Sequence, residues 1–102
     1  MTGFRFADEA IIELEEAAAY YRGKPERLSL DLRDEIERAL RYLTAFPKAA
    51  KPVDPIHRGY KLRRFPYLLI YRIENDGLVI VAVAHTARKQ DYWRGRLRKE
   101  DR

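Results

Sequence analysis

Apolar positions in residues 8–46 recur every three or four residues, which is the spacing of an amphipathic helix. Gly-Lys-Pro at positions 23–25 interrupts the pattern, because glycine suits the end of a helix and proline cannot continue one. The pattern therefore predicts two helices, with Asp8 as the N-cap of the first and Pro47 ending the second. Since the connecting turn is short, we expect an antiparallel hairpin whose apolar stripes face a common core.

The apolar period shortens from about 3.6 to about 2 after residues 48–57, a proline-containing loop, and a period of 2 is typical of β-strands. Asn-Asp-Gly at positions 75–77 lies between two apolar runs and predicts a tight hairpin turn. The basic segment at residues 89–99 is interpreted as a short terminal helix. The predicted strands cover residues 2–6, 58–64, 66–74 and 78–85.

The order of these elements, β-α-α-β-β-β, predicts an α+β fold in a single domain spanning residues 1–102. We expect the helical hairpin to pack on one face of a mostly antiparallel, four-stranded sheet. The first strand would lie at an edge or beside the last strand, and a short C-terminal helix would follow.

Cysteine is absent, which excludes disulfides, thiolate nucleophiles and cysteine-ligated metal sites. With two histidines in the chain, the sequence predicts no metal site and no cofactor. No apolar run reaches the ~18 residues that a membrane span needs. The first 20 residues carry five acidic side chains, which is unlike a signal or transit peptide. We therefore expect a cytoplasmic protein that does not associate with membranes.

Positive charge is concentrated in the second half of the chain. Residues 1–56 carry nine basic and eleven acidic side chains, whereas residues 57–102 carry twelve basic and five acidic ones. The respective balances are −2 and +7. A basic half of this kind indicates a nucleic acid or an acidic protein as partner. A soluble domain with solvated lysines and arginines explains the same composition, and charge alone does not separate the two.

The sequence contains no phosphate-binding glycine loop and no serine–histidine–aspartate arrangement. Acidic residues of the first helix, such as Glu9, Glu13 and Glu16, are expected on its outer, solvated side. In the predicted strand at 58–64, Lys61 and Arg63 share the solvent-facing side and could bind phosphate. A strand kept soluble by positive charge is the alternative interpretation.

Residues 85–96 concentrate hydrogen-bond donors and aromatic rings at the end of the last strand. His85, Arg88 and Tyr92 could hold a phosphate and stack on a base. The alternative is that the aromatic residues dock the terminal segment on the core, and we favour this packing role for Trp93. A histidine at a strand end more often bonds to backbone than acts in catalysis.

The segments at residues 65–73, 75–77 and 81–85, followed by Arg88 and Tyr92-Trp93, resemble the RelE/ParE superfamily of type II toxins. The resemblance extends over about residues 4–98. It implies the β-α-α-β-β-β fold and a growth-inhibiting toxin of a plasmid-stabilization module, neutralised by a cognate antitoxin. Higher-order toxin–antitoxin assemblies are compatible with this interpretation.

The superfamily has two mechanistic branches, and the resemblance allows both to be weighed. RelE-like members cleave mRNA on the ribosome without a metal, using cations and commonly a C-terminal tyrosine. Leu68 and Thr86 stand where two of the arginines of that set are expected, which removes charge that the transition state requires. The candidate catalytic residues for this branch are Lys61, Arg63, His85, Arg88 and Tyr92.

ParE-like members inhibit DNA gyrase, and the Phe65-Pro66-Tyr67 turn and the basic terminal segment look more like this branch. The prediction is a ParE-like toxin acting on gyrase, with a ribosome-dependent endoribonuclease as the first alternative. A non-enzymatic binding module with a basic face is the second alternative. The candidate residues for binding a target or a nucleic acid are Arg58, Lys61, Arg63, Arg88, Lys89, Tyr92, Arg94 and Arg96.

Overall fold

Two helices and a mixed sheet make up the fold in a computed structural model, which describes residues 3–25 and 27–96. The predicted α+β class is confirmed. A fifth strand, a two-residue segment within the predicted loop, is added to the expected four. The elements in chain order are β1 (Phe4–Phe6), α1 (Asp8–Arg22), α2 (Leu28–Ala45), β2 (Lys51–Pro52), β3 (His57–Lys61), β4 (Tyr67–Glu74) and β5 (Gly77–His85).

The sheet has the order β1-β5-β4-β3-β2. β1 runs parallel to β5, as the predicted position beside the last strand allows, and all other pairs are antiparallel. β2 is too short to show a period in the sequence. Its Pro52 is tolerated because β2 is an edge strand, where a missing N–H breaks no central ladder.

The two faces of the sheet have separate apolar clusters. On one face, both helices pack against alternate residues of β4 and β5, such as Leu69, Tyr71 and Ile80. On the opposite face, called the far face below, Ile70 and its neighbours pack against Trp93. The register of β4 against β5 shifts between Ile70 and Tyr71, and both Val81 and Ala82 join the far-face cluster at this bulge.

Several local predictions are corrected by the structure. Ala7, not Asp8, occupies the N-cap position of α1, and no side chain caps that helix end. β3 ends at Lys61, because the chain bends at residues 63–66 instead of continuing as a strand to residue 64. Phe46 is 60% exposed and lies outside the core that the α2 stripe was expected to enter.

The predicted terminal helix at 89–99 is described only up to residue 96. Residues 90–95 form consecutive turns, and Asp91 has a left-handed backbone with φ 74°, which does not fit a continuous helix. Residues 97–99 lie outside the described part of the chain. Within the described ranges, no helix is long and apolar enough to cross a membrane.

Candidate target-binding face

Residues 88–96, which we call the C-terminal strap, lie against the far face of the sheet. Trp93 is only 4% exposed and packs in the far-face cluster, as the packing interpretation of this residue predicted. Its ring meets His57 edge-to-face, with the ring centroids 4.7 Å apart. The strap therefore covers the side of the sheet that the helices leave open.

Glu13 of α1 holds one side of the strap. Its carboxylate accepts hydrogen bonds from the Tyr92 hydroxyl at 2.6 Å and from both terminal nitrogens of Arg96 at 2.9 and 2.8 Å. The same carboxylate accepts the backbone N–H of Val83 at 2.9 Å, so helix, strand and strap meet at one side chain. Glu13 is 8% exposed, which overturns its expected position on the solvated side of α1.

The carboxylate of Glu13 is stabilised in its charged form. Burial raises its pKa, but the hydrogen bonds from Arg96, Tyr92 and the Val83 N–H outweigh burial and hold the pKa below its usual value. Burial and the bond to Glu13 raise the pKa of the Tyr92 phenol far above its ordinary value. Tyr92 therefore remains a neutral phenol, and its hydroxyl donates its hydrogen bond to Glu13.

Asp54, in the connection between β2 and β3, holds the other side of the strap. It accepts the backbone N–H groups of Ile56 and His57 at 2.8 and 2.6 Å, and it lies 3.0 Å from Nδ1 of His57. Arg94 of the strap approaches the same carboxylate at 3.6 Å. Burial raises the pKa of Asp54. The hydrogen bonds from the N–H groups of His57 and Ile56, together with the His57 ring, lower the pKa by more than burial raises it, so the net shift is downward.

A groove of about 630 Å³ opens between the strap and the ends of the central strands. Its floor is apolar, whereas its rim carries the polar and charged side chains of the segment after β5. The groove is lined by Val53, Leu68, Ile70, Ala84, His85, Thr86, Arg88, Lys89, Gln90, Asp91, Tyr92, Trp93 and Arg94.

The cations at the rim are placed by different contacts. The guanidinium of Arg88 stacks 3.9 Å from the ring centre of Tyr92 and lies 4.0 Å from the Glu13 carboxylate. Arg94 pairs with both Asp54 and Asp91. His85 accepts the backbone N–H of Ala87 at its Nδ1, the backbone-bonding role expected of a histidine at a strand end. Lys89 is exposed.

Besides Arg96, which is bound to Glu13, three candidate residues lie outside this groove. Arg58 donates to the carbonyl oxygens of Lys48 and Ala50, at 3.2 and 2.7 Å, and so ties down the loop after α2. Lys61 turns back onto the β3–β4 connection, where its Nζ donates to the carbonyl oxygens of Leu62 and Phe65.

Arg63 does not share a strand face with Lys61, which corrects the sequence-based expectation. It follows the end of β3, and its backbone N–H donates to the Glu35 carboxylate of α2. Its side chain borders a separate depression together with Tyr42 and Tyr60, on the helical side of the molecule. The strand alternation that placed Arg63 beside Lys61 ends two residues before it.

Sequence reasoning missed Glu13 and Asp54, the two acidic residues that hold the strap. The one available signal was the difference in length between the predicted first strand, residues 2–6, and the predicted last strand, residues 78–85, because the shorter strand cannot cover the whole edge of the longer one. Among the described residues, no group of three histidine or acidic side chains is arranged to hold a metal ion.

Comparisons with known proteins agree with this architecture. The sequence model of a family described as "ParE toxin of type II toxin-antitoxin system, parDE" matches residues 4–90. No curated protein matches the sequence. Among solved structures, a chain from the chromosomal ParDE toxin–antitoxin system of P. aeruginosa superimposes with a TM-score of 0.70 at 18% identity, covering 83% of this chain and 96% of that one.

Two further structures show the same fold. The isolated E. coli RelE toxin gives a TM-score of 0.60 at 19% identity and covers 97% of this chain and 99% of its own. The RelBE2 toxin–antitoxin complex of Mycobacterium tuberculosis gives a TM-score of 0.54 at 26% identity, with 86% and 97% covered. The resemblance to the RelE/ParE superfamily inferred from the sequence is thereby confirmed.

Proposed function

Because the chain belongs to the ParE toxin family of type II toxin–antitoxin systems, we propose that it arrests growth by inhibiting DNA gyrase in the cytoplasm. The observation that carries the proposal is the state of Tyr92. Its hydroxyl is bound to Glu13 and its pKa is raised, so it is not available to activate a nucleophile or to protonate a leaving group. Tyr92, which corresponds to the C-terminal tyrosine of the RNA-cleaving branch, therefore lacks the free hydroxyl that such catalysis needs.

The floor of the groove also argues against RNA cleavage. Leu68 contributes an apolar side chain where the RelE-like set requires an arginine, and Lys61 beside it is engaged with loop carbonyls. Metal-free cleavage of a phosphodiester needs fixed cations around the charge that develops on phosphorus. An apolar floor cannot supply that stabilisation, whereas it suits the burial of an apolar side chain from a protein.

The groove and the strap are proposed as the surface that contacts the target. An apolar floor with Arg88, Lys89 and Arg94 around it is complementary to a protein surface that carries an apolar anchor surrounded by carboxylates. A gyrase surface of that chemistry would be held by burial at the centre and oriented by charge at the rim.

A cognate antitoxin is the proposed second partner. An apolar depression of about 570 Å³ lies at the end of α2, and it includes the exposed side chains of Tyr42, Phe46 and Ile73. We propose that this depression buries an apolar segment of an antitoxin that folds as it binds. Phe46, which was expected in the core and is exposed instead, would contribute its ring to that contact.

The proposal is tested by adding the purified protein to a DNA-supercoiling assay with gyrase. We expect inhibition by the wild type and at least about tenfold weaker inhibition by Arg88→Ala/Lys89→Ala, because rim charges steer and orient the encounter. The matched control is Arg33→Ala/Arg38→Ala, which removes two exposed charges from α2 and should inhibit as the wild type does.

The nuclease alternative makes the opposite forecast for the same preparations. Codon-positioned cleavage of mRNA on ribosomes, with gyrase unaffected, would contradict the proposal. In that case Arg88→Ala/Lys89→Ala would slow cleavage by orders of magnitude, since the cations that line the groove and stabilise phosphate charge would be lost. If neither target responded to the wild type, the protein would be a binding module with a basic face.

A further inference from the structure

We infer that Glu13 is a positioning residue, whose carboxylate holds the C-terminal strap in the conformation that presents Arg88 and Lys89. The inference relies on the proposed function only for the identity of the target that the strap meets. Glu13 itself is buried beneath the strap and is not expected to touch that target.

The strap depends on side-chain contacts for its attachment. Its backbone hydrogen bonds, as far as residue 96, join residues of the strap to one another, as in Arg94 N–H to Asp91 and Arg96 N–H to Trp93, except that the Arg88 N–H donates to His85 at the end of β5. The side-chain attachments of these residues to the rest of the fold are the buried ring of Trp93, the pair of Arg94 with Asp54, the bonds to Glu13 and the bond from Arg96 to the Val81 carbonyl.

Glu13 forms the most concentrated of these attachments. Three of its hydrogen bonds come from the strap, two from one guanidinium in fork geometry and one from a phenol. Arg96 also donates to the carbonyl oxygen of Val81 at 3.1 Å, which fixes the guanidinium against the strand. Without the carboxylate, the largely buried guanidinium of Arg96 would lose both of its charge-assisted hydrogen bonds, and that loss favours release of the strap.

The position of Arg88 follows from that of Tyr92. The guanidinium stacks on the Tyr92 ring, and the ring is oriented by the bond from its hydroxyl to Glu13. Arg88 is therefore placed by Glu13 through Tyr92, although Arg88 itself lies 4.0 Å from the carboxylate and is about half exposed. This chain of contacts connects a buried acid on α1 to an exposed cation at the groove.

Trp93 is the only tryptophan in the chain and lies in the strap, so its fluorescence reports directly on docking. We expect Glu13→Gln to shift the emission to longer wavelength and to increase quenching by acrylamide, while far-UV circular dichroism stays as in the wild type. Glu15→Gln, an exposed position on the same helix, is the matched control and should leave the emission unchanged. Tyr92→Phe removes only the hydroxyl contact and should give a smaller change in the same direction, which covers the case in which Glu13→Gln does not fold.

A double-mutant cycle in the gyrase assay separates positioning from general destabilisation. We expect Glu13→Gln to weaken inhibition about tenfold in the wild-type background and much less in an Arg88→Ala/Lys89→Ala background, because the groups it positions are then absent. Equal effects in both backgrounds would overturn the positioning role, as would a Trp93 emission that is the same in Glu13→Gln and wild type. If the wild type does not inhibit gyrase, the proposed function fails, while the fluorescence comparison still decides whether Glu13 holds the strap.

Discussion

The position of the Glu13 side chain differs from the one that helical periodicity predicts. Helical periodicity assigns charged residues to the solvated side, and it did so for Glu13. The actual position results from the sheet: β1 pairs with β5 only at Leu78–Ile80, so the N–H of Val83 at the edge beyond β1 needs another acceptor. A glutamate on the helix that passes this edge supplies it. Periodicity within one helix contains no information about a backbone N–H that lacks a strand partner some 70 residues later.

The acid stability of the protein should depend on Glu13. Its pKa in the folded state is lowered from 4.5, so the stabilisation is complete above that pH and is lost as pH falls through the folded-state pKa. We expect Glu13→Gln to lower the free energy of unfolding by about 1–3 kcal/mol at neutral pH and by less in acid. Urea denaturation followed between about pH 3 and about pH 7 measures this difference.

The control for the acid experiment is Glu15→Gln, which should retain the wild-type dependence on pH. Asp54, whose pKa is lowered from 3.8, contributes in the same direction, so some acid sensitivity should remain in Glu13→Gln. A difference between Glu13→Gln and wild type that stayed constant over the whole pH range would contradict the assignment of the charged carboxylate as the stabilising group.

At the scale of elements, the sequence predicts the elements that show a period and misses β2 and the course of the strap. The helices and β4 and β5 are long enough to show their periods, and their observed bounds lie within a few residues of the predicted ones. β2 has two residues and exists only because β3 lies beside it. The strap has no period to detect, because its course follows from contacts with Glu13, Asp54 and Trp93.

The β4–β5 hairpin depends on Gly77, which has φ 146°, a conformation that side chains rarely adopt. A Cβ at this position would also collide with the backbone carbonyl of Gly3, the group that accepts the N–H of Leu78. We expect Gly77→Ala to lower the free energy of unfolding by about 2–3 kcal/mol. The control is Gly95→Ala, where a Cβ would meet open space. Equal midpoints of thermal unfolding for the two variants would refute the steric argument.

At the scale of the whole molecule, the basic second half of the chain divides into separate surfaces. The sequence correctly brought His85, Arg88, Lys89 and Tyr92 to one place, because they follow one strand and stay close in the chain. Arg63 and Arg58 lie outside this group. The bend after β3 places Arg63 on the helical side, and Arg58 is bonded to the loop after α2. The net charge of this half predicts that a partner is negatively charged. Which surfaces carry that positive charge could be learned only from the tertiary structure.

The balance of +7 in residues 57–102 should govern how fast an acidic antitoxin segment associates. Exposed charges act at long range and are screened over about 10 Å at ~0.1 M salt, whereas the apolar contact at Phe46 and Tyr42 acts only after docking. Stopped-flow binding should therefore show an association rate that falls about tenfold between ~0.05 and ~0.5 M salt, with little change in dissociation. Arg88→Ala/Lys89→Ala should flatten that dependence, and Phe46→Ala should instead speed dissociation. An association rate insensitive to salt in the wild type would assign the basic strap to the target alone.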